Sequence, residues 1–163
     1  MKIKKVALMG VCISLAMVLS YVESQIPLFA GNNGFKVGFP NLVMMVLLYK
    51  FGWKETVIVS IIRVILMNIE FGNPTALVLS LSGAALSLIG VVLLKKAKFS
   101  CIAVSIVGGV LHNIGQIIAV CIWYQTPSLA LELPLLLVSG TIAGAIIGLV
   151  AGMLVKRLEK VKF

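Results

Sequence analysis

Aspartate is absent from this 163-residue chain, whose five acids are glutamates placed singly at Glu23, Glu55, Glu70, Glu132 and Glu159. A magnesium–diphosphate site needs several oxygen ligands close together, and scattered glutamates do not supply them. No phosphate-cradling glycine-rich loop of the ATP-binding type is present either. Charge is scarce, at 12% of residues against 61% hydrophobic, and the mean hydropathy is +1.16. So little polar surface cannot coat a water-soluble globule, which leaves an integral membrane protein. The three cysteines, Cys12, Cys101 and Cys121, sit inside apolar runs without pairing or metal-ligand spacing and read as small packing residues. No metal or cofactor is implied. Linkers, repeats and low-complexity tracts are lacking too, so residues 1–163 read as one transmembrane domain.

What the chain does contain is six apolar runs, at about 6–21, 37–49, 56–69, 76–94, 101–124 and 133–155. A perpendicular helix needs roughly 20 apolar residues to cross a bilayer, so the second and third runs are short. The fold class expected is all-α, a bundle of six transmembrane helices with both termini cytoplasmic. That topology gathers Lys2, Lys4, Lys5, Lys50, Lys54, Lys95, Lys96, Lys98, Lys156, Arg157, Lys160 and Lys162 on one side, as the positive-inside rule demands. The net charge of +9 then reflects orientation and anionic lipid, and nucleic acid is not an expected partner. Three lysines precede the first run as in a secretory signal. No small-residue cleavage pattern follows Tyr21, and that run is kept as a span.

Between Glu23 and Lys36, Pro27 and the cluster Gly31, Asn32, Asn33 and Gly34 predict an irregular outer loop. Gly140, Gly144 and Gly148 recur every four residues in the last run, with Gly152 continuing the series, and form a groove where another helix backbone can come close. Packing inside the bundle and docking of a separate membrane subunit both fit this stripe. Ala7, Gly10 and Ser14 repeat the idea in the first run.

Arg63 is the residue an apolar run should not hold. It lies eight residues after Glu55 and seven before Glu70, more than about 10 Å from either end at 1.5 Å per residue. A cation at such depth usually faces the bundle interior with a partner. His112 and Gln116, four apart, share a helix face, with Asn113 on its flank. Three hydrogen-bonding side chains in an oily helix need a buried network or a wet pocket. By depth, Lys36, Asn41, Asn68 and Gln116 belong to the outer half and Arg63 and His112 to the midplane, so the polar inventory opens outward. Lys36 and Arg63 suit a carboxylate or phosphate, and the amides suit a polar ring or hydroxyl. The candidate substrate-binding set is Lys36, Asn41, Arg63, Asn68, His112, Asn113 and Gln116.

Glu23 with Pro27, the pattern Gly34, Lys36, Gly38 and Asn41, then Arg63, the run Ser80, Leu81, Ser82 and Gly83, the set His112, Asn113 and Gln116, and Pro134 with Ser139 and Gly140 together resemble a known family. It is the family of small membrane proteins called heptaprenyl diphosphate synthase component I, or Gx transporter family, grouped with the S components of energy-coupling factor (ECF) transporters. The resemblance implies a six-helix S component in a prokaryotic plasma membrane, with an outer-leaflet pocket for a small-molecule substrate. The substrate would be vitamin-like, or an isoprenoid or quinone precursor. It also implies a membrane coupling subunit and two cytoplasmic ATPase subunits as partners, the coupling subunit docking on Ala7, Gly10 and Ser14. The enzymatic family name does not fit self-contained prenyl transfer, because clustered acids are missing. Two other readings stand beside uptake: a non-catalytic accessory subunit of a prenyl diphosphate synthase or redox complex, and a proton-coupled carrier using His112, which lacks a mid-span acid to share the proton path.

Overall fold

Hydrocarbon offers a backbone no hydrogen-bond partner, so a membrane-buried segment satisfies its own N–H and C=O groups by becoming helical. The computed structural model describes residues 2–25, 38–72 and 74–160, and among them there are helices and no strand. They are α1 (Lys2–Ser24), α2 (Phe39–Lys50), α3 (Trp53–Phe71), α4 (Pro74–Lys96), α5 (Cys101–Tyr124) and α6 (Leu133–Leu158), with a 3-10 turn at Pro127–Glu132 leading into α6. The stretch between α5 and α6 is thus partly helical. The outer loop expected before Lys36 falls at residues 26–37, outside the described residues.

Four segments, Ile3–Glu23, Pro74–Lys96, Cys101–Tyr124 and Pro127–Leu158, are long and apolar enough to cross a membrane. The molecule is an α-helical membrane protein. The other two helices fall short of that standard for different reasons. At 12 residues, α2 is about 18 Å long against roughly 30 Å of hydrocarbon. With 19 residues α3 is longer, but it carries Lys54, Glu55, Arg63 and Glu70.

Helix neighbours define a closed ring. In order around it run α1, α2, α6, α5, α4 and α3, and α3 returns to α1, while α2 also touches α3 across the middle. Small residues set the closest approaches, on the α4–α5 and α5–α6 faces. A β-carbon on Gly115 would lie 2.7 Å from Ser82 O, and one on Gly144 would lie 2.6 Å from Ile106 Cα, so these helices touch backbone to backbone.

Cations mark one end of the ring. Lys5 pairs with Glu55, joining the starts of α1 and α3. Lys50 Nζ donates to Leu158 O at 2.7 Å, and Lys95 Nζ donates to Leu48 O, so each ammonium caps the carbonyl-rich end of a neighbouring helix, where the macrodipole favours positive charge. Lys54 and Lys96 lie 5.7 and 5.8 Å from the ring centre of exposed Trp53, consistent with Trp53 as an interface anchor. Just inside this end two apolar clusters fill the ring, one of Met45, Leu48, Val91, Val104, Ile147 and Ala151 and one of Ala16, Val43, Met44, Leu47 and Val59. Cys12 packs on the second and Cys101 on the first, which agrees with their packing role.

At the start of α5 the Ser100 hydroxyl accepts from Ala103 N–H at 3.2 Å. It is an N-cap that satisfies one of the helix's orphan donors. Ser100→Ala is expected to lower stability by about 1 kcal/mol, read as a small fall in the unfolding midpoint in detergent. An unchanged midpoint would show that water replaces the cap fully.

Candidate functional site

Away from the basic end the ring opens into a cavity of about 700 Å³, within the roughly 300–1,000 Å³ typical of small-molecule sites. All six helices contribute to its wall. α1 brings Ser20 and Glu23 from its last turns, and α2 brings Gly38 and Asn41 from its start. α3 adds Arg63 and Asn68, and α4 adds Ser80. From α5 come His112, Asn113 and Gln116, and from α6 comes Ser139, with Glu132 just before it. These groups lie at the middle of their helices, as His112 and Arg63 do, or toward the end remote from the lysines, because the helices alternate in direction and the polar residues alternate with them.

A second, deeper pocket of about 40 Å³ continues toward the basic end, lined by Thr56, Ser60, Ser87 and Ser105 among methionines and leucines. Its volume suits a few water molecules. Asn41, Arg63, Ser105, Gly109 and His112 line both spaces and so form the neck between them. Buried Ser60 and Ser105 are exposed by only 4% and 5%, yet they front this void.

Arg63 is half-buried, and its Nη1 donates to Ser20 Oγ at 3.0 Å. Its Nε is buried and has no hydrogen-bond partner. Glu23 acts on it through charge, but the direct ion pair found among the described residues is Lys5 with Glu55. Glu23 instead accepts a hydrogen bond from Gly38 N–H through Oε1, tying the end of α1 to the start of α2. A deep cation is therefore held by a neutral hydroxyl, and its buried Nε–H is left without an acceptor.

The expected set divides by what each residue is committed to. Asn41, Arg63, Asn68, His112, Asn113 and Gln116 line the same cavity; Lys36 lies outside the described residues. Two amides are partly spent on structure. Asn68 Nδ2 donates to Val64 O in its own helix at 2.8 Å, and Asn113 Nδ2 donates to Leu136 O at 2.6 Å, fastening α5 to α6. His112 and Gln116 lie against Gly83 of α4, where an added β-carbon would come 3.0 Å from His112 Cε1 and 2.8 Å from Gln116 Cγ. Gly83 is the notch that seats both side chains. We expect Gly83→Ala to weaken solute binding by about tenfold and to lower the unfolding midpoint, because its β-carbon also meets His112 O at 2.9 Å, so α4 and α5 must part as these two polar groups are displaced. Ligand titration beside a thermal melt checks this, and unchanged affinity would show that neither group touches the ligand.

Of the two readings of Gly140, Gly144 and Gly148, the structure shows packing inside the bundle. All three are buried on the α5–α6 face, where β-carbons would lie 2.7 Å from Asn113 Nδ2, 2.6 Å from Ile106 Cα and 2.7 Å from Ile102 Cα respectively. A face already filled by α5 has no backbone to offer a separate subunit. Ala7, Gly10 and Ser14 differ: all are exposed, and a β-carbon on Gly10 would meet nothing within 4 Å. Ser14 Oγ is satisfied by Gly10 O at 3.0 Å, so the stripe exposes no unpaired hydroxyl to lipid.

Sequence reasoning passed over Ser20, Glu23, Glu132, Ser60, Ser105 and Ser139 as cavity residues. Glu23 and Glu132 end one helix and precede another, where a carboxylate ordinarily faces water, and isolated serines in apolar runs give no periodic signal. Depth alone could have flagged Ser60, three residues from Arg63 on the same helix face.

No curated protein and no solved structure matches the chain. The family described as heptaprenyl diphosphate synthase component I matches residues 12–154, which take in α2 to α5 whole and the greater part of α1 and α6. On that match the chain belongs to the heptaprenyl diphosphate synthase component I family.

Proposed function

We propose that this protein is the substrate-binding S component of an ECF-type transporter, taking a small polar solute from the outer face of a prokaryotic plasma membrane. All six helices cross, with the lysine-rich end and both termini in the cytoplasm, where anionic lipid and the positive-inside rule favour them. The solute cavity then faces outward. Binding and transport, not catalysis, is its role; a membrane coupling subunit and two cytoplasmic ATPase subunits supply the energy. The observation that carries this reading is the roughly 700 Å³ cavity at the end away from the lysines, lined by Asn41, Arg63, Asn68, His112, Asn113 and Gln116.

Two further features support it. The exposed face of α1 with Ala7, Gly10 and Ser14 leaves backbone accessible to a partner helix. A chain without aspartate, its five glutamates dispersed, has no cluster of hard oxygen ligands for a magnesium-bound diphosphate, so the synthase in the family name would be a partner or a neighbour in metabolism.

Gentle purification of the tagged full chain tests the assignment. ATPase subunits and a coupling subunit are expected to come with it, together with a bound small molecule that is lost in His112→Ala. Co-purification of a soluble prenyl synthase, with no solute at any stage, would establish the accessory-subunit reading instead.

A further inference from the structure

Among the described residues, the Glu, Lys and Arg side chains lining the main cavity are Glu23, Arg63 and Glu132, one positive and two negative. Their placement is layered. Arg63 sits at the neck above the deeper pocket, eight residues before the end of α3 at Phe71 and so about 12 Å below that end. Glu23 is one residue from the end of α1, and Glu132 immediately precedes α6. Among the described residues one cation therefore lies deep, its Nη1 on Ser20 about one turn (three residues) below Glu23, and two carboxylates lie nearer the opening.

The deep cation is under-satisfied, with Nη1 on a serine hydroxyl and a buried Nε that has no partner. Ionised side chains at such depth normally find an opposite charge. Glu23 does not supply it by contact: it commits an oxygen to Gly38 N–H and stands apart from the guanidinium. One anionic position beside Arg63 is thus open, while Glu23 and Glu132 disfavour a second negative charge beside them and favour a positive one.

We propose that the solute is a dipolar compound of net charge near zero: one anionic oxygen group, a carboxylate or a phosphate monoester, seated on Arg63, and a cationic nitrogen held nearer the opening by Glu23 and Glu132. This rests on the uptake reading and decides between the solute classes it leaves open. A prenyl diphosphate would bring several negative charges to a wall whose described residues hold one cation and two carboxylates, and these disfavour it. A vitamin-like or amino-acid-like zwitterion matches the charge order of the wall from floor to rim. The neck residues Asn41 and His112 and the amide of Gln116 then hydrogen-bond the solute's body between the two charged ends.

Glu23→Gln gives a test by sign. Glutamine keeps a carbonyl oxygen to accept Gly38 N–H, so the α1–α2 tie survives while the charge goes. With the full chain in lipid nanodiscs, ε-aminocaproate serves as zwitterionic probe and inorganic pyrophosphate as polyanionic probe. The zwitterion is expected to raise the unfolding midpoint of the wild type and to need about tenfold more concentration in Glu23→Gln or Glu132→Gln; pyrophosphate is expected to have no effect. Mass spectrometry of the co-purified solute should show one acidic and one basic group. Stabilisation by pyrophosphate, stronger binding after Glu23→Gln, or a co-purified diphosphate overturns the dipolar assignment and leaves the uptake reading standing. A protein that retains no solute, responds to neither probe and brings no ATPase overturns both.

Discussion

Replacing Gly144 with leucine is expected to destabilise the bundle by about 3 kcal/mol or more, because the new side chain has no flexible neighbour to displace. Its first carbon alone would lie 2.6 Å from Ile106 Cα and 2.8 Å from Ser105 O, so α5 and α6 must separate along their length. The same α5 carries His112, Asn113 and Gln116, and the cavity should be lost along with stability. Gly10→Leu is the control: it makes the same chemical change on exposed α1, where a β-carbon meets nothing within 4 Å, and should shift stability by less than about 1 kcal/mol. Thermal unfolding of both variants in one detergent separates the cases. Equal midpoints would mean that α6 does not pack through its glycines, and the ring arrangement itself would be wrong.

Arg63→Met should give the opposite pattern, with binding lost and stability kept or raised. Burying a cation at mid-span costs roughly 3 kcal/mol on insertion scales, and what the structure sets against it is one bond to Ser20 Oγ and the nearby charge of Glu23. Methionine keeps the length and relieves the desolvation. An ionic contact to solute, in contrast, is worth about 2–5 kcal/mol when one partner is truncated, so retention should fall by a factor of about 30 or more. A variant that keeps its solute but unfolds several kcal/mol more easily would identify Arg63 as a structural clamp between α1 and α3. Melting curves and solute quantification on the same preparation decide between them.

Membrane residence, the helical class and the depth of Arg63, His112 and Gln116 were legible without coordinates. Hydropathy and the 3.6-residue period depend on neighbours along the chain, and so does the lysine asymmetry. The glycines every four residues in α6 were legible as a close-packing face, but not what they pack against: the groove accepts any helix, and the chain supplies α5. Asn113 shows the same limit. Its place on the polar flank of α5 was evident, whereas its bond to Leu136 O depends on α6 being the neighbour there.

Periodicity and composition by themselves determined that this chain is a set of lipid-embedded helices with basic ends and a few polar side chains at depth, because each of those properties is local. Only the tertiary structure decided that α3 and α5 face each other across one void, that Glu23 joins Arg63 there, and that the α6 glycines are consumed internally. Those outcomes depend on which helices become neighbours around the ring, and side-chain packing between segments distant in sequence fixes that order.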